Sequence, residues 1–277
     1  MGKVKALFVR VKRFADALSD RGLVTCAAAS AFYAFLSLYP LAALAASLVP
    51  CAGIDRAALL HFLDGVAPAA VASLLKVILS NVYGHVFPAL PLSLLMLLWS
   101  SAKAFSELLK GMAAMAGSGH ASGYLKRRLR AILLTAALLL TLIVSLSMLI
   151  FGARVSMLLG ALFPRALGLL ALLVRLRYIF MALPLWLLFL FLYRSIPGYS
   201  LSLRDVRTGA ALAAVAWMIF SGLFSLYADL FLDLSLYGSM AAMALTMLWL
   251  FYCQYILLVG AGFCAWKKEA VSLKTAS

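Results

Sequence analysis

Acidic residues are scarce in this sequence: nine Asp and Glu stand against 24 Lys and Arg in 277 residues, and charged residues of both signs make up only 12%. An average soluble domain carries roughly twice that share. With 66% hydrophobic residues and a mean hydropathy of +1.08, apolar side chains exceed what one water-soluble core can hide, so lipid must cover the surplus. Disordered and coiled-coil classes are excluded by the same composition. Cysteine is sparse as well. Cys26, Cys51, Cys253 and Cys264 are widely spaced, with no C-x-x-C and no His/Cys pair at ligand spacing, so they read as small buried hydrophobes and not as a disulfide scaffold or metal site. The three histidines, His61, His85 and His120, lie far apart, and the carboxylates are scattered. Metal-assisted phosphodiester hydrolysis needs several such groups to converge, so the expectation is no enzyme, no metal and no cofactor.

The formal net charge of +15 raises the question of nucleic acid. The basic residues, however, punctuate the ends of apolar segments and do not share one face with aromatics. That is the distribution of positive-inside anchors and contacts to anionic lipid headgroups, so no nucleic-acid partner is expected.

Along the chain, residues 1–22 carry Lys3, Lys5, Arg10, Lys12, Arg13 and Arg21, while Val4, Leu7, Phe8, Val11, Phe14, Ala15 and Leu18 recur at helical spacing. This predicts a basic amphipathic helix at a membrane surface. Leu23–Val49 holds no charge in 27 residues, more than the roughly 30 Å hydrocarbon layer requires. A cleaved leader is its rival, disfavoured by the long basic lead and by Tyr33, Ser37, Tyr39 and Pro40 inside the run. The polar stretch 51–85 contains a second amphipathic pattern, with Val71, Leu74, Leu75, Ile78, Leu79 and Val82 on one stripe after Pro68.

Further spans are expected at Val86–Ala102, extending to about Met115 if Lys103 snorkels, at Ala131–Phe151, Tyr178–Tyr193, Val206–Tyr227 and Ser239–Trp266. Arginines divide 153–177 into pieces of about ten residues, too short to cross, so an interfacial or reentrant helix is expected there. The segments 117–123 and 195–200 read as linker and turn. With six spans, eighteen Lys and Arg fall on the side of the termini and six on the other, which places both termini in the cytoplasm. The fold class expected is therefore an all-α membrane protein: six transmembrane helices with amphipathic interfacial helices. Its parts are a basic N-terminal helix at 1–22, a six-span membrane domain at 23–266 and a cytoplasmic tail at 267–277.

Polar side chains inside the spans are the candidate functional residues, because lipid does not tolerate them without partners. Ser30, Tyr33 and Ser37 form one stripe of the first span before Pro40, which removes a backbone hydrogen bond. Ser225 and Asp229 share a face of the fifth span, and Thr246 leads towards Gln254 in the sixth. These residues could line a path or could glue helices together. No acid is expected in the middle of a span, which argues against a pump driven by protons or sodium. Arg165, Arg175 and Arg177 are candidate headgroup contacts at the outer interface.

Several strings occur in order over about 240 residues: Ala28-Ala-Ser-Ala-Phe-Tyr-Ala-Phe-Leu-Ser-Leu-Tyr-Pro40, Tyr193-Arg-Ser-Ile-Pro197, Gly209-Ala-Ala with Trp217, Phe224-Ser-Leu-Tyr227, Tyr237-Gly-Ser-Met-Ala241, and Leu248-Trp-Leu-Phe-Tyr252 through Gly260-Ala261. In these the sequence resembles the YihY/virulence factor BrkB family. The resemblance implies a multipass protein of the bacterial inner membrane with six spans. Some relatives carry a ribonuclease BN label, and others are linked with serum resistance or envelope lipid export. Gly262 stands where the family usually has Glu, and Gly111-Met-Ala-Ala-Met115 where it usually has an Asn and a Tyr. The function expected is movement of a lipid or other amphiphile, with anionic membrane lipids as partners. The alternative is a non-transporting scaffold for envelope partners, or a homo-oligomer in that role.

Overall fold

The computed structural model describes residues 2–51, 57, 60, 69–82, 86–118, 129–130, 132–133, 183–196, 202–231 and 234–276. Among them are seven helices: α1 Gly2–Asp20, α2 Leu23–Cys51, α3 Ala69–Val82, α4 Val86–Met115, α5 Leu183–Arg194, α6 Leu203–Phe231 and α7 Leu234–Ala276. The described residues contain no strand. Three segments are long and apolar enough to cross a membrane: Leu23–Leu41, Leu203–Ala228 and Met240–Lys268. The expected third span apart from Ile132 and Leu133, the 153–177 region and the three histidines lie outside the described residues.

Helix boundaries follow local chemistry. Gly22, at φ +74°, opens the turn between α1 and α2. Gly117, at φ +69°, ends α4. Its N–H donates to the Ala114 carbonyl and that of Ser118 to the Ala113 carbonyl, both at 3.0 Å, the Schellman closure that such a glycine permits. The Arg21 guanidinium then donates to the Met115 carbonyl at 2.5 Å. A cation thus sits on the negative end of α4 and ties the α1–α2 turn to it.

α4 runs unbroken through Lys103 to Met115, the longer of the two lengths expected for it, whereas α7 continues beyond Lys267 and Lys268, past its expected end, to Ala276. Neither stretch contains a proline, so charge alone does not stop a helix there. α2 likewise passes Pro40 as one helix.

α2 packs along α4 and α7, α6 pairs with α7, and α3 lies against α7 and α2. The α3 stripe faces inward as its spacing requires, with Val71, Leu74 and Leu79 buried and Val77 exposed. Pairing is antiparallel between α6 and α7. Gly209 faces Cys264, Ala213 faces Gly260, and the Trp249 indole donates to Ser221 Oγ at 3.2 Å. It is antiparallel also between α2 and α4, where Cys26 meets Gly111, and between the α1–α2 segment and α7, where Leu18 meets Gly262 and Cys26 shares a contact with Leu258. α5 touches Arg207 through the Trp186 indole and reaches Leu257 through the Tyr193 hydroxyl. The core gathers Leu109, Met112, Met115, Leu192, Tyr193, Val206, Leu258 and Cys264.

α1 turns only part of its apolar stripe towards the protein. Leu18 is buried, and Phe14 meets Trp266 with ring centroids 6.1 Å apart, whereas Phe8 and Val11 are exposed. Those outward residues suit a helix resting on a bilayer surface.

Candidate functional site

Gly111 marks the point where three helices come closest. A Cβ there would stand 2.9 Å from Cys26 Cβ on α2 and 2.9 Å from Leu258 Cδ2 on α7, so only glycine lets these backbones approach without displacement. One helical turn further in the same direction lies Ser30 on α2, Glu107 on α4 and Gln254 on α7, each four residues from the contact. Three polar residues therefore occupy one layer, about 6 Å above an apolar crossing.

Each member of the layer has a distinct state. Ser30 is fully buried, and its hydroxyl donates to the Cys26 carbonyl at 2.8 Å and contacts that of Ala27 at 3.1 Å. Gln254 Oε1 is buried without a hydrogen-bond partner. Leaving such a carbonyl unpaired costs roughly 1–3 kcal/mol. Glu107 Oε1 accepts both Lys110 Nζ at 2.7 Å and Lys103 Nζ at 3.3 Å. Its side chain is 17% exposed, against 36% for Lys103 and 43% for Lys110.

One carboxylate shared by two ammonium groups leaves one uncompensated positive charge. The Lys103 ammonium also stands 5.4 Å from the centroid of the Tyr33 ring, whose π face favours a cation. α4 packs antiparallel along α2, so the Lys103, Glu107 and Lys110 row lies level with its apolar segment Leu23–Leu41. Glu107 lies on α4 eight residues before its end at Met115, away from the middle of that helix. It is a counter-charge to two lysines and not a free ion-coupling group. The row lies on the part of α4 beyond Lys103, which belongs to the second span only at the longer of its two expected lengths, to about Met115. The signal was present in the spacing of 103, 107 and 110, which places all three on one helix face.

The other predicted residues divide by place. Ser37 donates to the Ala34 carbonyl and Thr246 to the Ala242 carbonyl, each at 2.6 Å, so these hydroxyls are engaged by their own helices. Pro40 and Thr246 are buried, and Tyr33 and Ser225 are half-buried. Continuing the α6–α7 pairing puts Ser225 level with Thr246, about 12 Å along α7 from Gln254. Asp229 lies on α6 near its end. Arg165, Arg175 and Arg177 lie outside the described residues. By register Ser30 falls level with Gln254, Tyr33 about 5 Å further along α2 beside Lys103, and Ser225 and Thr246 at a separate level. Among the described residues, no group of three or more His, Cys, Asp or Glu could hold a metal ion. Cys26, Cys253 and Cys264 are free thiols.

Gly262 has a structural role of its own. A Cβ there would stand 3.1 Å from Leu18 Cδ1, so the glycine admits the Leu18 side chain where a glutamate would displace it.

Comparison with known proteins agrees with this architecture. The ribonuclease-like protein YfkH of Bacillus subtilis (strain 168) is 28% identical over 237 residues, covering 84% of this chain and 85% of the relative. A UPF0761 membrane protein of Chromohalobacter salexigens is 39% identical over 82 residues, 29% of this chain and 20% of the relative. Another, from Azotobacter vinelandii, is 39% identical over 74 residues, 26% of this chain and 18% of the relative. No solved structure matches. The family model described as virulence factor BrkB matches residues 14–275, and the chain belongs to that family of membrane proteins.

Proposed function

We propose that this protein binds an anionic amphiphile at the layer formed by Ser30, Glu107 and Gln254 and moves it within or across the bacterial inner membrane. In this reading six spans cross the membrane and both termini are cytoplasmic. The observation that carries the proposal is the Lys103, Glu107 and Lys110 row: an excess positive charge, partly exposed, level with the apolar segment Leu23–Leu41. A lone cation at the centre of a bilayer costs about 2.5–3.5 kcal/mol on insertion scales. An anionic headgroup entering from the side would neutralise it, and a headgroup hydroxyl could donate to Gln254 Oε1. Arg165, Arg175 and Arg177 would meet headgroups at the opposite interface. The chemistry required is binding and displacement, with no bond broken, so the protein acts as a carrier or conduit and not as an enzyme.

The test is movement of fluorescent phosphatidylglycerol and phosphatidylcholine between leaflets of vesicles containing the purified protein. Protein-dependent movement, faster for the anionic lipid, supports the proposal. Absence of movement for several anionic lipids would leave the scaffold reading.

A further inference from the structure

At the other end of the α6–α7 pair lies a cleft of about 460 Å³, lined by Trp186 from α5, Arg204, Arg207, Thr208 and Ala211 from α6, and Lys267 from α7. It is remote from the Gln254 layer: Lys267 is thirteen residues along α7 from Gln254, about 20 Å. Three cations and no acid line it. Arg204, Arg207, Thr208 and Ala211 fall on one face of α6 by their spacing. The neighbouring Asp205 is turned about 100° from Arg204, and its carboxylate accepts the Ser202 hydroxyl at 2.6 Å.

The walls are held in place. The Trp186 indole donates to the Arg207 carbonyl at 3.3 Å, and the Lys267 ammonium donates to Thr208 Oγ1 at 2.9 Å. Arg204 and Arg207 are exposed. The depth of the cleft is set by its own helices, because the apolar segment of α6 begins at Leu203 and that of α7 ends at Lys268. A tryptophan and three basic residues at the end of two spans occupy the headgroup level of a bilayer. Beside the cleft, Leu187 and Phe191 on α5 and Leu212 and Val215 on α6 present exposed apolar side chains on the side towards Tyr193 and Ala213.

We infer that this cleft is a binding site for the phosphodiester headgroup of an anionic phospholipid, whose acyl chains lie along the exposed apolar faces of α5 and α6. Arg204 and Arg207 can each present a planar fork to phosphate oxygens, and Lys267 adds a point charge. The inference does not depend on lipid movement through the Gln254 layer, since none of these residues belongs to it.

The test counts phosphatidylglycerol molecules retained by the purified full-length protein in native mass spectrometry, for wild type, R204Q/R207Q and R204K/R207K, with phosphatidylcholine and inorganic phosphate as comparison probes. Phosphatidylglycerol affinity should fall about fivefold for each arginine neutralised. It should fall less in R204K/R207K than in R204Q/R207Q, since the charge is kept and only the planar fork is lost, while phosphatidylcholine binding stays the same in all three. Inorganic phosphate should neither bind measurably nor displace the lipid. Equal retention of phosphatidylglycerol by wild type and R204Q/R207Q overturns the site. Displacement of the lipid by millimolar phosphate would assign the cleft to a free anion instead. If R204Q/R207Q is not monodisperse, K267Q in an otherwise intact cleft is measured in its place. Unchanged lipid retention there overturns the inference equally.

Discussion

The Tyr193 hydroxyl lies in the space that Gly260 leaves open, donating to the Leu257 carbonyl at 3.1 Å. A Cβ on residue 260 would overlap that oxygen, and Tyr193 is fully buried, so the ring has nowhere to move. Gly260→Ala should therefore destabilise the detergent-solubilised protein by about 1–3 kcal/mol, read as a lower midpoint of thermal unfolding. Tyr193→Phe alone should cost about 1 kcal/mol for the lost hydrogen bond. Combined with Gly260→Ala, it should recover part of the loss, because the clashing oxygen is gone. Additive losses in the double variant would contradict this contact.

The charged row on α4 gives a second expectation. Glu107→Gln leaves Lys103 and Lys110 without their shared carboxylate, so thermal stability and yield should both fall. The triple variant Lys103→Met, Glu107→Gln, Lys110→Met removes the repulsion as well and should regain stability while losing selectivity for anionic lipid. A triple variant less stable than Glu107→Gln would mean that the two lysines hold the helix by other contacts.

Topology follows from the basic residues. Reporter fusions after Gly117 and Ser200 should show cytoplasmic activity, and fusions near Ser73 and Asp233 should show the outer side. Reversal at any one of these sites removes the six-span arrangement.

Much of this architecture was legible because hydrophobic length and period are local properties. Leu23 to Val49 announces a span by its lack of charge, and the α3 stripe is buried where its spacing places it. What was not legible depends on three helices meeting. Nothing local to Gly111 says that Cys26 and Leu258 converge on it, and without that crossing Ser30, Glu107 and Gln254 are three unrelated polar residues. Lys103 also hid the row behind it, since a charge at the end of an apolar run looks the same whether the helix stops or continues. The cleft at Arg204, Arg207 and Lys267 was invisible for the same reason: its cations were counted as loop charges, and only packing brings α5, α6 and α7 together around them.

A relative's ribonuclease-like name makes RNA cleavage a direct question. Among the described residues the carboxylates do not converge, and Glu107 is engaged by two lysines. Purified protein should leave RNA intact with or without magnesium or manganese, as followed on denaturing gels. Cleavage abolished by one Asp or Glu substitution at unchanged folding would contradict the carrier reading.

The central claim is that the Gln254 layer handles the amphiphile, and Gln254→Leu tests it most directly. Leucine removes the unpartnered carbonyl, so the variant should be as stable as wild type or more so, by up to roughly 1–3 kcal/mol. The measurement is phosphatidylglycerol movement between leaflets, compared at matched amounts of folded wild type and Gln254→Leu in the same vesicles. The account predicts a several-fold slower rate for the variant with its thermal midpoint held or raised. An unchanged rate, or a lowered midpoint of the kind a broken interhelical hydrogen bond would give, would contradict it.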